Sequence, residues 1–476
     1  MDARSALYKL AKGAVLTMKR NLWLGIVLAV ASLWGQPASA QGLLGGLLST
    51  VGQLLASPPQ GVIVRTSAGK STLQLQCLLN GCVVVSNLDA GAGQLFLVRP
   101  TQKGLIASLL ANVLRTLTGV LDAEVDQVLV IPPNQSSQAA SGTAPGGLWD
   151  ATPVNYYGTM LPDGYVNQPA VSIVRVQQAQ SAFNVSGSGI VADIDTGVDP
   201  NHPALQGVLL LGYDFTRNQP GGNELNDINP SSPPSCDSCE PAYVNQHTAA
   251  MVDQHTAAML DGSQYAAFGH GTMVAGVIHL VAPTAHILPL KSFQANGTGN
   301  LSDILRAIYY AVQSNANVIN MSFDMSQNST ELSNAITFAS NNNIYLSASA
   351  GNDGQMEVVY PAAIRPVTGV ASTNNQDQRS TFSNYGNQIV YVAAPGEGII
   401  TTYPFGLYAA GWGTSFSSPF VAGTADLILQ MQPNDSPAIV AWGISHAKYI
   451  GSNMGYGRLD IYNSLFSLNP IQGLLQ

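Results

Sequence analysis

The strongest constraint on the fold is a regular alternation of short apolar segments with amphipathic ones that begins near Val171. Short apolar runs predict buried strands, and they cover Ile190–Ile194, Ile287–Leu290, Val318–Met321, Ile344–Ala348, Val367–Ala371 and Val390–Val392. Apolar residues at helical spacing predict intervening helices, over Met273–Ile278, Ser302–Val312 and Glu331–Ala339. This order predicts an α/β fold, a doubly wound and mainly parallel sheet with helices on both faces.

Three polar motifs fall at strand ends or helix starts, where doubly wound folds place their sites. Asp195-Thr196-Gly197 follows a buried strand, Gly269-His270-Gly271-Thr272 opens a helix, and Gly413-Thr414-Ser415 opens another. Each motif alone has an ordinary structural explanation: an Asp in a turn, a buried core His, or a Ser as helix N-cap. Their combination is therefore what carries the argument.

In the chain order Asp195, His270, Ser415, the three motifs together resemble the subtilisin-like (S8) serine peptidases over about residues 171–470. The resemblance implies a serine-type endopeptidase that hydrolyses polypeptides through an acyl-enzyme. In that reaction Ser415 attacks the scissile carbonyl, His270 takes the hydroxyl proton, and Asp195 orients the imidazole.

The resemblance also assigns an oxyanion hole and a substrate cleft. Asn352, in Ala350-Gly351-Asn352, matches the segment that carries the side-chain donor, so Asn352 and the backbone N–H of Ser415 are expected to hold the oxyanion. Substrates of this class bind as an added strand. The residues expected to line the cleft are Gly297, Ser322, Phe323, Asp324, Ala348, Ser349, Ala350 and Gly351.

Asp324 departs from the family pattern, which usually has Gly at this position. A carboxylate there either crowds the substrate pocket or favours a basic side chain. The hypothesis of a basic preference is tested by the cleavage-site profile of Asp324→Gly.

The first forty residues resemble a secretory signal. Lys19-Arg20 precede an apolar run, Leu22–Leu33, and Ala38-Ser39-Ala40 supply small residues for cleavage after Ala40. Residues 1–40 are therefore expected to be a signal peptide, and the protein to be secreted, either extracellular or periplasmic. An uncleaved anchor is the alternative, although the apolar run is short for a membrane span.

Residues 41–131 predict a small α+β domain of β-α-β-β-α-β order, as in ferredoxin-like folds. The predicted strands and helices are Val62–Val64, Ser71–Leu79, Cys82–Val85, Gln94–Val98, Leu105–Leu121 and Val128–Ile131. The element order alone fits any ferredoxin-like binding module. Its position before the peptidase domain (171–470), and its resemblance in element order to family pro-regions, imply an intramolecular inhibitory pro-domain and a self-processing zymogen.

Residues 132–170 predict a linker and an N-terminal arm, because residues 132–148 are rich in Pro, Ser, Gln, Gly and Ala. An exposed linker after an inhibitory domain is where self-cleavage is expected.

Charge and cofactor signals are weak. The net charge is −9 and no basic stripe is present, which argues against nucleic acid as a partner. A monomer is expected.

The helix after His270 runs directly into Val281-Ala282-Pro283, without the calcium loop of compact subtilisins, and Ala204 stands where the family often has an Asp ligand. No metal or other cofactor is therefore expected, although calcium elsewhere stays open.

The four cysteines form two close pairs, Cys77/Cys82 and Cys236/Cys239, for which local disulfides or free thiols are favoured over a metal site. A tandem repeat follows the second pair, Val244–Met251 and then Val252–Met259. It predicts an exposed loop or helix near the rim of the cleft.

Two rival functions remain at this point. A sedolisin-like acid peptidase shares the fold but replaces the His with Glu, which Gly269-His270-Gly271-Thr272 speaks against. An inactive binding protein on a peptidase scaffold is the other, although the chain keeps Asp195, His270, Ser415 and Asn352.

Overall fold

The computed structural model describes residues 60–102, 105–131, 145–228, 242–245, 248–251 and 265–469; for 242–245 and 248–251 it describes the backbone alone. The predicted signal peptide, the Pro/Ser-rich linker up to residue 144, and Cys236/Cys239 lie outside these residues.

Twenty strands are present in the described part of the chain. They are β1 (Val62–Thr66), β2 (Cys82–Asn87), β3 (Leu95–Pro100), β4 (Val120–Val125), β5 (Val128–Val130), β6 (Pro153–Tyr156), β7 (Thr159–Pro162), β8 (Ile190–Asp195), β9 (Tyr213–Asp214), β10 (Gln219–Pro220), β11 (Ala242–Asn245), β12 (Thr248–Met251), β13 (His286–Lys291), β14 (Thr298–Asn300), β15 (Val318–Met321), β16 (Tyr345–Ser349), β17 (Thr368–Thr373), β18 (Val392–Pro395), β19 (Ile399–Tyr403) and β20 (Leu407–Gly411).

Eleven α-helices are present in the same described ranges. They are α1 (Gly69–Leu79), α2 (Ala107–Leu114), α3 (Asp163–Val166), α4 (Pro169–Ile173), α5 (Val176–Phe183), α6 (His270–Val281), α7 (Leu301–Gln313), α8 (Thr330–Asn341), α9 (Thr414–Met431), α10 (Pro437–Ile444) and α11 (Ile461–Leu468).

An eight-stranded sheet, in the order β10-β9-β13-β8-β15-β16-β17-β18, forms the centre of the molecule. Every neighbouring pair from β9 to β18 is parallel, and only β10 pairs antiparallel with its neighbour. Alternate residues of β8 face different cores: Val191 packs with α6 and α9 on one face, and Ala192 packs with α7 and α8 on the other. The predicted doubly wound α/β fold is therefore confirmed. Burial on both faces explains why the strands are continuously apolar.

The N-terminal subdomain, residues 61–131, has an antiparallel sheet in the order β2-β3-β1-β4. Its element order is β-α-β-β-α-β, but two predicted boundaries are wrong. Helix α2 ends at Leu114 and not at Leu121, and the fourth sheet strand is Val120–Val125 and not Val128–Ile131. Apolar residues continue at helical spacing beyond α2, which hid the turn at Gly119, where φ is +85°.

The tandem repeat also differs from its prediction where it is described. Strands β11 and β12 form an antiparallel pair, and β11 extends the β19–β20 hairpin in parallel. The expectation of a loop or helix is wrong for these backbone segments, and the second repeat lies outside the described residues. The alternation of small and apolar residues in the first copy fits a strand as well as a helix.

Candidate active site

Several predicted site residues lie at the carboxyl ends of neighbouring strands of the central sheet. Asp195 is the last residue of β8, Ser322 follows β15, and Asn352 lies three residues after β16. Because these neighbouring strands are parallel, their carboxyl ends meet at the same edge. Helices α6 and α9 pack against each other and begin at this edge, α6 with His270 and α9 one residue before Ser415.

Asp195 and His270 are in direct contact. His270 Nδ1 lies 2.6 Å from Asp195 Oδ1, and the backbone N–H of Thr196 donates to the same oxygen at 2.6 Å. Both side chains are buried. With Nδ1–H donating to the carboxylate, Nε2 is left as the acceptor nitrogen of the imidazole. Nε2 is buried and has no hydrogen-bond partner among the described residues.

Ser415 is not hydrogen-bonded to His270 in the described structure. Its Oγ donates to the Ser322 carbonyl at 3.2 Å, and Ser322 Oγ donates to the Ser415 carbonyl at 3.0 Å. The His270 ring lies 5.9 Å from the ring of Phe416, the next residue of α9. The structure thus brings Asp195 and His270 into contact and holds the start of α9 against Ser322.

Asn352 is anchored to the residue before Ser415. Its Oδ1 accepts hydrogen bonds from the Thr414 backbone N–H at 2.8 Å and from the Thr414 hydroxyl at 2.9 Å. Two donors on the amide oxygen fix the orientation of the amide group. The side-chain NH₂ is left to donate elsewhere.

Two glycines of the His270 motif allow the segments of the site to approach closely. A Cβ at Gly271 would lie 2.1 Å from the Gly197 carbonyl oxygen. Gly269 has a φ of +89°, and a Cβ there would lie 2.2 Å from the Tyr403 ring. A larger residue at Gly271 would push the Asp195 and His270 segments apart, and one at Gly269 would clash with Tyr403.

Glu224 is a buried residue of the site that the sequence did not reveal. It is fully buried in a short 3₁₀ segment, and its carboxylate accepts hydrogen bonds from Thr196, Gly269 and Thr272. Burial raises the pKa of Glu224 to about 7, against the hydrogen bonds from the two threonines and the nearby Lys291 ammonium, which lower it. An acidic residue in a stretch rich in Gly and Asn predicts only a solvated turn, so no sequence signal marked it.

Asp193 is a second buried carboxyl that was missed. It precedes Asp195 by two residues on β8, and its Oδ1 accepts from Asn320 Nδ2 at 3.0 Å. Burial, reinforced by the negative charge of Asp195, raises its pKa well above the ordinary value. Asn320 also donates to Ser322 Oγ at 3.0 Å, so a polar chain runs from Asp193 to the backbone of Ser415.

An extended segment of the N-terminal subdomain lies against Gly297 and Phe323, two of the residues predicted to bind substrate. Strand β5 pairs antiparallel with β14, and the Ile131 N–H donates to the Gly297 carbonyl at 2.8 Å. Leu129 and Ile131 are buried in one apolar cluster with Phe323, whereas the side chains between and before them point outward. An extended segment of the N-terminal subdomain therefore lies along the wall formed by Gly297.

The other predicted wall segment, Ala348–Gly351, lies at the end of β16. The Ser349 hydroxyl donates to the Phe323 carbonyl at 3.2 Å, which ties this segment to the one after β15. Ala348 and Ala350 are buried. Gly351 has a φ of +93°, and a Cβ there would lie 2.4 Å from the Asn384 amide nitrogen.

Asp324 is half-buried at the end of the Ser322–Asp324 segment. Burial, together with the negative charges of Asp353 and Glu357, raises its pKa to about 7. Asp353 directly follows Asn352. Acidic side chains thus accompany both segments that flank the start of α9.

Three charged residues of the N-terminal subdomain contact helices α7 and α8. Asp126 accepts from the Ser302 N–H and hydroxyl, both at 2.8 Å, at the start of α7. Glu124 accepts from the Ser329 hydroxyl and from the Thr330 N–H at 3.2 Å, at the start of α8. A carboxylate at a helix N-terminus is favoured by the unpaired N–H groups and the helix dipole.

Arg65 supplies the third of these contacts. Its guanidinium donates from Nε to the buried Glu331 carboxylate at 2.9 Å and also reaches the Tyr309 hydroxyl at 3.4 Å. This pair crosses from β1 to α8, so the N-terminal subdomain is held to the peptidase part by a charged contact as well as by strand pairing.

The described residues hold no candidate metal site, no disulfide and no helix that could span a membrane. Within it, no group of three or more His, Cys, Asp or Glu residues could hold a metal ion. Cys77 and Cys82 are buried free thiols. No helix in the described ranges is long and apolar enough to cross a membrane.

The peptidase part of the chain is similar to known proteins. The family model of the subtilases (peptidase S8) matches residues 187–457. A thermophilic serine proteinase of Bacillus sp. (strain AK1) is 35% identical over 277 residues, covering 58% of this chain and 61% of that protein. Thermitase of Thermoactinomyces vulgaris is 33% identical over 306 residues, covering 64% of this chain and 98% of thermitase.

A solved structure supports the fold. Fervidolysin from Fervidobacterium pennivorans, a keratinolytic enzyme related to subtilisin, matches with a TM-score of 0.62 at 20% identity, covering 86% of this chain and 61% of fervidolysin. The chain belongs to the subtilase family. It is a serine-type endopeptidase, and its substrates are polypeptides.

Proposed function

We propose that Asp195, His270 and Ser415 are the catalytic triad of this endopeptidase. The observation that carries the proposal is the buried Asp195–His270 contact, which leaves Nε2 as an acceptor next to the start of α9. Rotation of the Ser415 side chain away from the Ser322 carbonyl would present Oγ to Nε2. His270 would then take the hydroxyl proton as Oγ attacks the scissile carbonyl, and would later give it to the leaving amine.

Asn352 and the Ser415 backbone N–H are proposed to bind the oxyanion of the tetrahedral intermediate. The two hydrogen bonds from Thr414 to Asn352 Oδ1 support this role, because they hold the amide group in place before substrate arrives. A donor that needs no reorganisation stabilises developing charge most effectively. The proposed reaction calls for no metal or other cofactor.

The test is hydrolysis of a protein substrate and of peptides by matured wild type and by Ser415→Ala. Wild type is expected to cleave them, with a rate that rises from pH 5 through pH 7 because the imidazole must be neutral to act as a base. A rate that is highest in acid would favour the sedolisin-like alternative. Activity of Ser415→Ala equal to wild type would refute the assignment of the nucleophile.

The N-terminal subdomain is proposed to be an inhibitory pro-domain that leaves after self-cleavage in the linker 132–148. Pairing of β5 with β14 supports this role, because a peptide substrate binds the same kind of edge by strand addition. The Asp126 and Glu124 carboxyl groups, which accept hydrogen bonds at the starts of α7 and α8, would add affinity, as would the Arg65–Glu331 pair. Maturation of wild type but not of Ser415→Ala in the same cells is expected, and N-terminal sequencing of the product locates the cut.

Asp324 is proposed to favour Lys or Arg in the substrate residue before the scissile bond. Its closest electrostatic partners are Asp353 and Glu357, both acidic, and its own segment contacts the Ser415 backbone through Ser322. Because burial raises the pKa of Asp324 to about 7, the preference should strengthen as pH rises above 7. An unchanged cleavage-site profile in Asp324→Gly would show the hypothesis to be wrong; Asp377→Gly serves as the control acid away from the site.

Secretion and a monomeric mature enzyme complete the proposal. The basic and apolar pattern before Ala40 supports a signal peptide. N-terminal sequencing of protein from cell fractions distinguishes cleavage after Ala40 from an uncleaved anchor, and light scattering gives the oligomeric state.

A further inference from the structure

Glu224 connects the two segments that carry Asp195 and His270. Its Oε1 accepts from the hydroxyl of Thr196, the residue after Asp195, at 2.5 Å, and from the N–H of Gly269, the residue before His270, at 2.7 Å. Its Oε2 accepts from the hydroxyl of Thr272 at 2.6 Å, one residue beyond the glycine that follows His270. One buried carboxylate therefore bridges the strand end of Asp195 and the helix start of His270.

The bridge is reinforced by a direct bond between the same segments. The Thr196 hydroxyl accepts from the Gly271 N–H at 2.9 Å while it donates to Glu224. The Thr272 hydroxyl accepts from the Asp199 N–H at 2.9 Å. Both threonine hydroxyls that donate to Glu224 are thereby held by a second contact, which ties the carboxylate to both segments.

Glu224 adds a negative charge near Asp195 only when its carboxyl is ionised, and burial raises its pKa to about 7. Lys291 is fully buried close by, but its ammonium donates to the Thr196 and Phe293 carbonyls and to Asp227 Oδ2, so its three protons are already used. Asp227 in turn pairs with Arg217. The titratable groups that act on Glu224 or are acted on by it are Asp193, Asp195, Lys291 and Tyr403.

We propose that Glu224 is a positioning residue, whose carboxylate locks the Asp195–His270 geometry and whose negative charge favours proton transfer to His270. This inference rests on the proposed triad. A positioned base is worth a large factor because a displacement of about 1 Å can cost about 10²-fold in rate. A nearby anion also stabilises the imidazolium that forms during attack.

The experiment compares Glu224→Gln and Glu224→Ala with wild type over pH 5 to 10, with active sites counted by fluorophosphonate titration. Glutamine preserves the shape, and its Oε1 can keep the hydrogen bonds from Thr196 and Gly269. Its NH₂ would face the Thr272 hydroxyl, which then loses its acceptor, so this variant removes the charge at the cost of one hydrogen bond. We expect Glu224→Gln to lower kcat/KM about three- to tenfold above pH 7, where the wild-type carboxyl is ionised, and less below it, so that the acid limb of the pH–rate profile changes shape. Glu224→Ala should lose about 10²-fold in kcat with a smaller change in KM.

Asp426→Asn is the matched control, since Asp426 is also a fully buried carboxyl and accepts from the Ser188 and Gly189 N–H groups away from the triad. It should lower thermal stability without moving the acid limb. If both Glu224 variants are merely less stable, with kcat and the acid limb of wild type per titrated site, the inference is overturned. Failure of the triad proposal is separate, because it would appear as an active Ser415→Ala.

Discussion

Charged groups are buried at the proposed triad, but some are partly exposed at the contact between the N-terminal subdomain and the peptidase part. At the triad, Asp195, Glu224 and Lys291 are all buried and held by several hydrogen bonds each within one fold. At the subdomain contact, Glu124 and Arg65 keep part of their surface exposed to solvent. A buried network fixes geometry, whereas a partly exposed pair can separate and be solvated again. The difference suits a permanent site beside the removable inhibitor that we propose.

The largest expected effect tests the permanent network. His270→Ala should lower kcat by about 10⁶-fold, because a subtilisin loses about that much when its catalytic serine or histidine is removed. His270→Ala is not expected to process itself, so it is first cut in trans by wild type, which is then removed. Steady-state hydrolysis of a chromogenic peptide then measures the loss, with His446→Ala, which is distant in the chain and lies after α10, as the control. A loss below about tenfold would contradict the role of His270 as the base.

The next effect concerns the oxyanion site. Asn352→Ala should lower kcat by about 10²–10³-fold and change KM little, because the donor acts on charge that appears only in the transition state. Stopped assays on active-site-titrated enzyme separate the two constants. A change confined to KM would mean that Asn352 binds substrate and does not stabilise the oxyanion.

A smaller effect tests the removable contact. Arg65→Ala should speed release of the cleaved N-terminal subdomain by about 30-fold or more, since removing one partner leaves the Glu331 carboxylate buried without its cation. Recovery of activity after dilution of freshly processed protein reports the release rate. Arg115→Ala is the control, because Arg115 is exposed and lies 3.9 Å from Asp122. Equal release rates in both variants would show that the Arg65–Glu331 pair adds no affinity.

The smallest effect is a pH dependence of the same contact. Burial raises the pKa of Glu124 and of Asp126, so docking takes up protons relative to a released, solvated subdomain. Affinity should therefore increase as pH falls below the raised values toward the ordinary ones near 4, and should weaken as pH rises through the raised values. The change is at most about tenfold per pH unit for each proton taken up. Faster release of the subdomain at pH 5 than at pH 8 would contradict this prediction.

The sequence predicted the central sheet well and the contacts around it less well. Strands such as β8 and β15 are buried on both faces, so their apolar runs are unambiguous. The end of α2 was misplaced because the apolar spacing of the helix continues into β4, where only Gly119 signals a turn. Helical and strand patterns cannot be distinguished by spacing alone over so few residues.

The candidate site likewise contains residues that the sequence reveals and residues that only the structure reveals. Asp195, His270 and Ser415 lie in short motifs with flanking glycines, which a sequence displays directly. Glu224 and Asp193 have no such marking, since one lies in a turn-like stretch and the other looks like a polar interruption of a strand. Their roles depend on which buried groups meet in three dimensions, as the hydrogen bonds from Thr196 and Asn320 reveal.

Covalent labelling by a fluorophosphonate tests the central proposal most directly. The reagent phosphonylates a serine hydroxyl only when a base and an oxyanion site activate it. Matured wild type is predicted to take up one label, mapped by peptide mass spectrometry to Ser415, and Ser415→Ala to take up none. A matured wild type that stays unlabelled, or a label that maps to another residue, would contradict the proposed triad.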